Sequence, residues 1–223
     1  CDPLSLPKSR IPFIEYAQHA RPPTRVAYSS SLGLVDVDLE IADICKRAVA
    51  CFGDARVVAD CPDFALARES LAVLRPRWIS RHWAHLLDQY RDQLDPNFAA
   101  RIDLGLRMSP AQVHEAEEQR HLLSSGLVEF FRHYDVLACP VAPIAPFELD
   151  SPIPPIIARQ RHEIEWTLLT YAVSLIGCPA ISIPCGFTAG GLPVGLQLVG
   201  RPGGDGDLLG AAAYLEARIA LPF

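Results

Sequence analysis

Histidine, serine and cysteine are the side chains of this sequence that could carry catalysis, and their spacing decides which chemistry is supported. A conventional Ser-His-Asp hydrolase presents its nucleophile in a G-x-S-x-G turn, and the sequence contains no such segment. His82 and His85 are three apart on one predicted helix, and His114, His121 and His133 lie on another, but none forms H-E-x-x-H. Further metal ligands would have to converge from elsewhere. We therefore predict no metal site and no cofactor, and we interpret these histidines as solvated or hydrogen-bonded residues of helix faces.

The cysteines are seven in number, with irregular spacing and no C-x-x-C pair. This usage is typical of reduced thiols in the cytoplasm, several of them buried as small apolar side chains. Cys185, between Pro184 and Gly186, could serve as a nucleophile. We favour a small buried residue beneath a sheet as its interpretation.

Composition narrows the class of protein. The chain has 223 residues, half of them hydrophobic, and can bury a sizeable core. A net charge of −6 without a basic cluster argues against a nucleic-acid partner. No signal peptide opens the sequence, and its most apolar stretch is interrupted by serine, glycine and proline, which favours a buried helix and strand over a membrane span. Because the sequence starts at Cys1 and its only methionine is Met108, we interpret it as a fragment of a cytoplasmic protein.

The stretch from Gly177 to Arg218 organises the chain. Apolar residues alternate from Ala180 to Ile183, so that Ile181 and Ile183 share one strand face and Ala180 and Ser182 share the other. Gly190-Gly191 predicts a tight turn into a second apolar run, Val194 to Val199. A glycine-rich loop follows, and Asp205 or Asp207 is predicted to cap a helix with an apolar stripe. The predicted unit is a hairpin, a glycine loop and a helix.

The rest of the sequence alternates predicted strands and helices, which indicates an α/β fold. A strand, a helix and a strand near the start predict a parallel βαβ unit. The predicted elements before the hairpin are an extended, proline-rich arm at residues 1–24, a strand at 25–28, a helix capped by Asp36 or Asp38, a strand at 57–59, a helix at 76–94, a short helix ending near 107, a helix starting at a Ser109 cap and running to about 133, a strand at 135–139, a rigid loop at 140–155 and a helix from about 159 to 176.

One segment carries a family resemblance. Gly177 to Pro202 reads G-x-P-A-I-S-x-P-x-G-F-x-x-x-G-L-P-V-G-L-Q-L-x-G-R-P, which resembles the C-terminal hallmark of the amidase signature hydrolases. Asp2-Pro3-Leu4-Ser5 resembles the linker that follows the catalytic core in that family. The resemblance implies a mixed β-sheet flanked by helices, and hydrolysis of an amide bond through a Ser-Ser-Lys triad.

The triad that the resemblance implies belongs to the family's first half and has no counterpart in this sequence. The only lysines are Lys8, in the proline-rich arm, and Lys46, away from the apolar stripe of its predicted helix. Ser124-Ser125-Gly126 lies in a predicted helix without a glycine loop, which favours a structural role. We therefore assign no catalytic residue to this chain and expect the C-terminal portion of an amidase.

The substrate-binding candidates are Arg101, Ser182 and Cys185, with the loop from Pro140 to Pro143. In the amidotransferase branch of the family, an arginine in an R-x-x-L-G segment binds the substrate's carboxylate, and here that pattern begins at Arg101. The same branch has an acidic residue where this chain has Thr167, and this departure favours a generic amide over glutamine.

Two hypotheses follow for residues 25–223, which we expect to be the C-terminal part of an amidase-type α/β domain. In the first, this part supplies fold and pocket wall for a small-molecule amide substrate once the missing half completes it. In the second, it is a catalytically silent remnant that acts as a binding or assembly module. Neither includes a nucleic-acid or membrane partner. We also expect self-association, because the almost uncharged hallmark strands would form an exposed sheet edge.

Overall fold

A five-stranded mixed sheet organises the structure, a computed structural model that describes residues 9–148, 165–219 and 221. In the described residues the strand order is β2-β1-β3-β5-β4. β1 pairs in parallel with β2 and β3, whereas β5 runs antiparallel to β3 and β4. The α/β class with a mixed sheet is therefore confirmed. The strands are β1 (Arg25–Tyr28), β2 (Arg56–Ala59), β3 (Val136–Pro140), β4 (Ala180–Phe187) and β5 (Pro193–Val199).

Helices occupy most of the remaining described sequence. They are α1 (Phe13–Gln18), α2 (Leu39–Ala50), α3 (Ala67–Trp83), α4 (His85–Tyr90), α5 (Pro96–Leu106), α6 (Pro110–Phe130), α7 (Leu168–Ile176) and α8 (Asp205–Glu216), with short 3₁₀ turns at Arg91–Gln93 and Glu165–Thr167. No helix within these described ranges is both long and apolar enough to cross a bilayer.

The chain divides into two compact units, residues 1–64 with 126–223, and residues 65–125. In the first unit, α2 and α8 bury their apolar stripes against one face of the sheet, where Leu196 and Leu198 are fully buried. In the second unit, α3 and α5 pack together around a small core that includes Ile79 and Ile102. Each unit thus has its own apolar core, which is what drives local folding.

Several predicted elements are confirmed with their physical cause. β1 has the predicted bounds, and Asp38 caps α2 by accepting a 2.8 Å hydrogen bond from the Glu40 amide. Ser109 and Gln112 form a reciprocal capping box at α6, with bonds of 3.2 Å to Ser109 Oγ and 2.9 Å to Gln112 Oε1. The β4–β5 hairpin is also present, and its turn is closed by a 2.8 Å bond from the Gly191 amide to the Thr188 carbonyl.

Other predicted boundaries differ from the structure. The helix predicted at 76–94 is instead α3, which starts at Ala67 and contains Pro76 in its interior, followed by the separate short α4. Proline is common at a helix start, and tertiary packing overrode that preference here. The predicted Asp205 or Asp207 cap of α8 is wrong, because Gly204 is the cap residue and Asp207 instead pairs with Arg201 at 2.8 Å.

The segment at 1–24, predicted to be an extended arm, contains the two-turn helix α1. Its Tyr16 ring lies against Gly206 of α8, so close that a Cβ on Gly206 would approach the ring to 2.6 Å. This long-range contact stabilises a helix that the weak local pattern does not predict. Residues 1–8, the later part of the loop predicted at 140–155, and the start of the helix predicted from 159 lie outside the described residues.

The hairpin turn generates a prediction at its two glycines. Gly191 has a φ of +77° and open space around its Cβ position, whereas a Cβ on Gly190 would meet only Thr188 Oγ1 at an ordinary 3.7 Å. We expect Gly191→Ala to lower the free energy of unfolding by about 1–2 kcal/mol, because an L-residue is strained at positive φ. Gly190→Ala is the matched control and should change it little. Urea denaturation followed by circular dichroism measures both, and equal midpoints would contradict this turn geometry.

Candidate functional site

The exposed face of β4 forms the surface on which one predicted site residue lies. β4 is an edge strand of the described sheet, and its alternation buries Ile183 and Cys185 on one side while Ala180, Ser182 and Pro184 stay exposed on the other. We call this exposed side the β4 surface. Ser182 therefore offers its hydroxyl to the solvent side of the sheet, where a ligand could reach it.

A glycine on β5 allows close packing beside Ser182. A Cβ added to Gly195 would lie 3.2 Å from Ser182 Oγ and 3.0 Å from Val141 Cγ2. These distances are tighter than ordinary contacts, so a side chain at position 195 would displace Ser182 or Val141. Ser182 and Val141 thus lie side by side on this face, and ligand pockets combine such polar and apolar groups.

A buried glutamine lies on the same sheet face as Ser182 and Gly195. Gln197 is 4% exposed, and its Nε2 donates to the Leu169 carbonyl of α7 and to Cys139 Sγ, both at 3.2 Å. Burial raises the pKa of Cys139 to about 12. Cys139 is therefore a neutral thiol at physiological pH and is unsuited to act as a nucleophile.

The loop after β3 is tied to its neighbours by backbone hydrogen bonds. The Val141 amide donates to the Gly195 carbonyl at 3.0 Å, and the Asp38 amide donates to the Pro143 carbonyl at 2.8 Å. The start of the loop predicted as a pocket element, Pro140 to Pro143, is thus held between β5 and the cap of α2. Farther along, Phe147 makes an edge-to-face contact with Trp166, with ring centroids 6.5 Å apart.

Cys185 lies on the opposite face of the sheet from Ser182. It is 6% exposed, it packs in the core under α2, and its Sγ is 3.8 Å from Cys45 Sγ. The structure therefore does not bring Cys185 and Ser182 to one surface, because residues an odd number apart on a strand face opposite sides. This placement agrees with the buried small residue that the sequence favoured, and substrate binding by either residue stays a prediction.

Arg101 lies on α5, in the unit of residues 65–125. Several of its neighbours in the chain have structural explanations. Ile102 is fully buried, and a Cβ on Gly105 would overlap the Pro76 carbonyl and reach Ser80 Oγ at 2.7 Å. Asp103 accepts two 3.0 Å hydrogen bonds from Arg91, which hold the pKa of that carboxyl below its usual range. Of the three specified positions in R-x-x-L-G, packing explains Gly105 but not the half-buried Arg101 or Leu104, which is 40% exposed.

The remaining sequence candidates lie on helices. Lys46 is exposed on α2, away from its buried stripe, and Ser124 and Ser125 lie within α6. The His82 ring lies against Trp78, with a centroid distance of 4.4 Å and a 2.8 Å contact from Nδ1 to the Trp78 carbonyl. Among the described residues, no group of three or more histidine, cysteine or acidic side chains could hold a metal ion.

Two concave sites were not predicted from the sequence. One cavity of about 670 Å³ lies between α1, the start of β3 and the start of α8, and it is lined by Tyr16, Tyr134 and Arg201 among others. A cleft of about 620 Å³ lies at the carboxyl ends of β1 and β2, where Ser29, Lys46 and Asp60 meet. Parallel strands place ligand sites at their carboxyl ends, which is the signal that points to the cleft. None of Arg101, Ser182 and Cys185 lines either of these two sites.

Comparison with known proteins adds the family. A family model described as Amidase matches residues 5–209. The chain is 30% identical over 222 residues to an acylamidase of Rhodococcus erythropolis, covering 97% of this chain and 46% of the acylamidase. It is 26% identical over 233 residues to a glutamyl-tRNA(Gln) amidotransferase subunit from Thermosynechococcus vestitus, covering 90% of this chain and 47% of that protein.

Solved structures share the fold. A 6-aminohexanoate cyclic dimer hydrolase complexed with substrate superposes with a TM-score of 0.83 at 16% identity, over 99% of this chain and 50% of the hydrolase. A bacterial aryl acylamidase of the amidase signature family superposes with a TM-score of 0.74 at 19% identity, over 97% and 48%. The chain therefore belongs to the amidase signature family. It spans about half the length of the relatives that it matches.

The packing around Gly105 can be tested with a second helical glycine. We expect Gly105→Ala to lower the free energy of unfolding by about 1–3 kcal/mol, since the new methyl group meets rigid backbone of α3. Gly126→Ala on α6 is the control, because a Cβ there has open space and alanine favours a helix by about 1 kcal/mol. Thermal unfolding of both variants measures this difference in stability. If Gly105→Ala leaves the free energy of unfolding unchanged, packing does not explain Gly105, and the whole R-x-x-L-G pattern would again be interpreted as functional.

Proposed function

We propose that this chain supplies the fold and part of the substrate-pocket wall of an enzyme that hydrolyses the carbon-nitrogen bond of an amide. The nucleophile and its base, a Ser-Ser-Lys set, would come from sequence outside this chain. The observation that carries the proposal is the β4 surface, where the exposed Ser182 lies inside the segment matched by the amidase model. The acylamidase and aryl acylamidase relatives, by their names, support an acyl amide as substrate.

The roles of individual residues follow from their chemistry. Ser182 can hydrogen-bond a polar atom of the substrate, while Val141 supplies apolar contact to its acyl part, as ligand pockets combine a few polar groups with apolar walls. Arg101 would pair with a carboxylate if the substrate carries one, and Thr167 in place of an acidic residue favours a generic amide over glutamine.

The catalytic step needs groups that the described part of this chain does not combine. Amide hydrolysis through a covalent intermediate needs an activated nucleophile and a base within hydrogen-bond reach. Burial keeps Cys139 protonated, and Lys46 is exposed, so neither has the environment of an activated group. A completing segment would have to bring the lysine, the serines and the amide hydrogens that stabilise the oxyanion.

Reconstitution tests this function. The purified chain should show only background hydrolysis of acetamide, benzamide and aryl anilides. Co-expression with the first half of a similar amidase should restore turnover, and a Ser→Ala change at the nucleophile of the added half should abolish it. Removing triad members typically costs a factor of about 10⁴ to 10⁶. Robust turnover by this chain alone would overturn the proposal.

The reconstituted enzyme also tests the pocket wall. Gly195→Ala should raise KM for the bulkier substrates by about 10-fold or more, because its methyl group would press against Ser182 Oγ and Val141 Cγ2 and displace the side chains proposed to contact the substrate. Gly126→Ala, with open space around its Cβ position, is the control and should leave KM unchanged. An unchanged KM in both variants would remove Gly195 from the pocket.

We further propose that the isolated chain self-associates through β4. The strand carries no charged residue, it is an edge of the described sheet, and Phe187 is 37% exposed. Light scattering should detect oligomers that Ala180→Lys abolishes, since an edge lysine blocks strand pairing. Leu122→Lys on α6 adds the same charge at an exposed site away from this edge and should leave the oligomers intact. A monodisperse unmodified chain would contradict this expectation.

A further inference from the structure

Two thiols that the proposed function does not use are in contact in the core of the larger unit. Cys45 on α2 and Cys185 on β4 have their sulfur atoms 3.8 Å apart, although the residues are 140 positions apart in sequence. Cys45 is fully buried and Cys185 is 6% exposed. The two sulfur atoms are therefore in direct contact inside the core, where cysteine packs as a small apolar side chain.

The contact depends on an unusually close approach of α2 to β4. A Cβ on Gly186, next to Cys185, would lie 2.7 Å from Ile44 Cγ2, next to Cys45. The register of β4 against β5 shifts between Pro184 and Gly186, so Cys185 is the residue at the irregularity. The helix and strand are therefore packed closely beside the two cysteines.

A second contact fixes the same helix against the hairpin. The Ala189 amide in the hairpin turn donates a 2.6 Å hydrogen bond to Glu40 Oε1 at the start of α2. α2 is thus held at its first turn by Glu40 and one turn later by Ile44. These two contacts hold the helix and the hairpin together, and rotation of the two cysteine side chains then sets the distance between the sulfur atoms.

We propose that Cys45 and Cys185 form an intrachain disulfide under oxidising conditions, which locks the edge strand β4 to α2. A disulfide has sulfur atoms about 2.0 Å apart, so small side-chain rotations must bring them closer by about 1.8 Å. The oxidant class is a diazene or a disulfide that accepts two electrons. With a diazene, each thiol gives up one proton and one electron, the S–S bond forms, and the N=N group becomes a hydrazine.

Burial controls when the reaction can occur. The hydrogen bond with Cys185 and desolvation raise the pKa of the Cys45 thiol, whereas the same hydrogen bond lowers the pKa of the Cys185 thiol. Both thiols are buried, so an oxidant reaches them only when the core opens locally. β4 lies at the edge of the described sheet, and edge elements open locally more readily than central strands. Oxidation of the Cys45–Cys185 pair should therefore be slower than oxidation of the half-exposed Cys51, Cys61 and Cys178.

The consequence is a redox-dependent rigidity of the strand that carries Ser182. In the reduced state β4 is held to α2 by packing alone, and in the oxidised state by a covalent bond across 140 residues of sequence. A cross-link that closes a long loop stabilises the folded state mainly by restricting the unfolded one. This inference rests on the sulfur geometry and does not require the amidase proposal.

The experiment treats the full chain with the diazene oxidant diamide and then blocks the remaining thiols with iodoacetamide. Proteolysis without reductant, followed by mass spectrometry, should find the Cys45 and Cys185 peptides joined, with the loss of two hydrogens. The melting temperature should rise by about 5–15 °C and return to its starting value with dithiothreitol.

Alanine variants separate this disulfide from other oxidation. Cys45→Ala and Cys185→Ala should each abolish the linked peptide and the melting shift, whereas Cys51→Ala, at the end of the same helix, should retain both. If either of these core variants does not fold, peptide mapping of the unmodified chain still shows whether the Cys45–Cys185 disulfide forms. Unlinked Cys45 and Cys185 peptides after the half-exposed thiols have reacted would overturn the inference, as would a melting shift that persists in Cys185→Ala.

Discussion

The antiparallel pairing of β5 with both β3 and β4 is the constraint on which the larger unit depends. Through it, the parallel strands β2, β1 and β3 are joined to the C-terminal hairpin in one sheet. β5 is central and buried on both faces, with Leu196 and Leu198 packed under α2 and α8 and Gln197 bonded to α7. β4 is left at an edge of the described sheet, buried on one face only. The exposure of Ser182 and the sulfur contact of Cys185 both follow from that position.

Local sequence signals predicted the elements whose determinants are local. The Ser109–Gln112 capping box and the Gly190-Gly191 turn depend on neighbouring residues and were placed correctly, although only Gly191 has the positive φ. The α2 cap is also local, but the sequence left it open between Asp36 and Asp38, and the structure shows Asp38. The predictions that failed concern elements stabilised by residues far away in the sequence. α1 depends on Tyr16 against Gly206, and the interior position of Pro76 depends on packing within the smaller unit. Strand order likewise could not be read from periodicity, because periodicity does not specify which strands pair.

The candidate site shows the same division. Alternation along β4 correctly predicted that Ile183 and Ser182 face opposite sides, and the same rule separates Cys185 from Ser182. The close packing of Gly195 against Val141 and the sulfur contact at Cys45 involve residues far apart in sequence. Only the folded chain brings them together. Substrate binding by Arg101 stays a prediction, because packing accounts for the glycine of its R-x-x-L-G pattern but not for the arginine.

The central claim is that this chain shapes an amidase pocket while the nucleophile lies elsewhere. Mass spectrometry of the trapped acyl-enzyme tests it most directly. The chain would be co-purified with an amidase first half, mixed with an activated ester such as p-nitrophenyl acetate, quenched in acid and digested. The account predicts the acyl group on a serine of the added half, with every peptide of this chain unmodified. An acyl group on a serine of this chain, such as Ser182 or the Ser124–Ser125 pair, would contradict it.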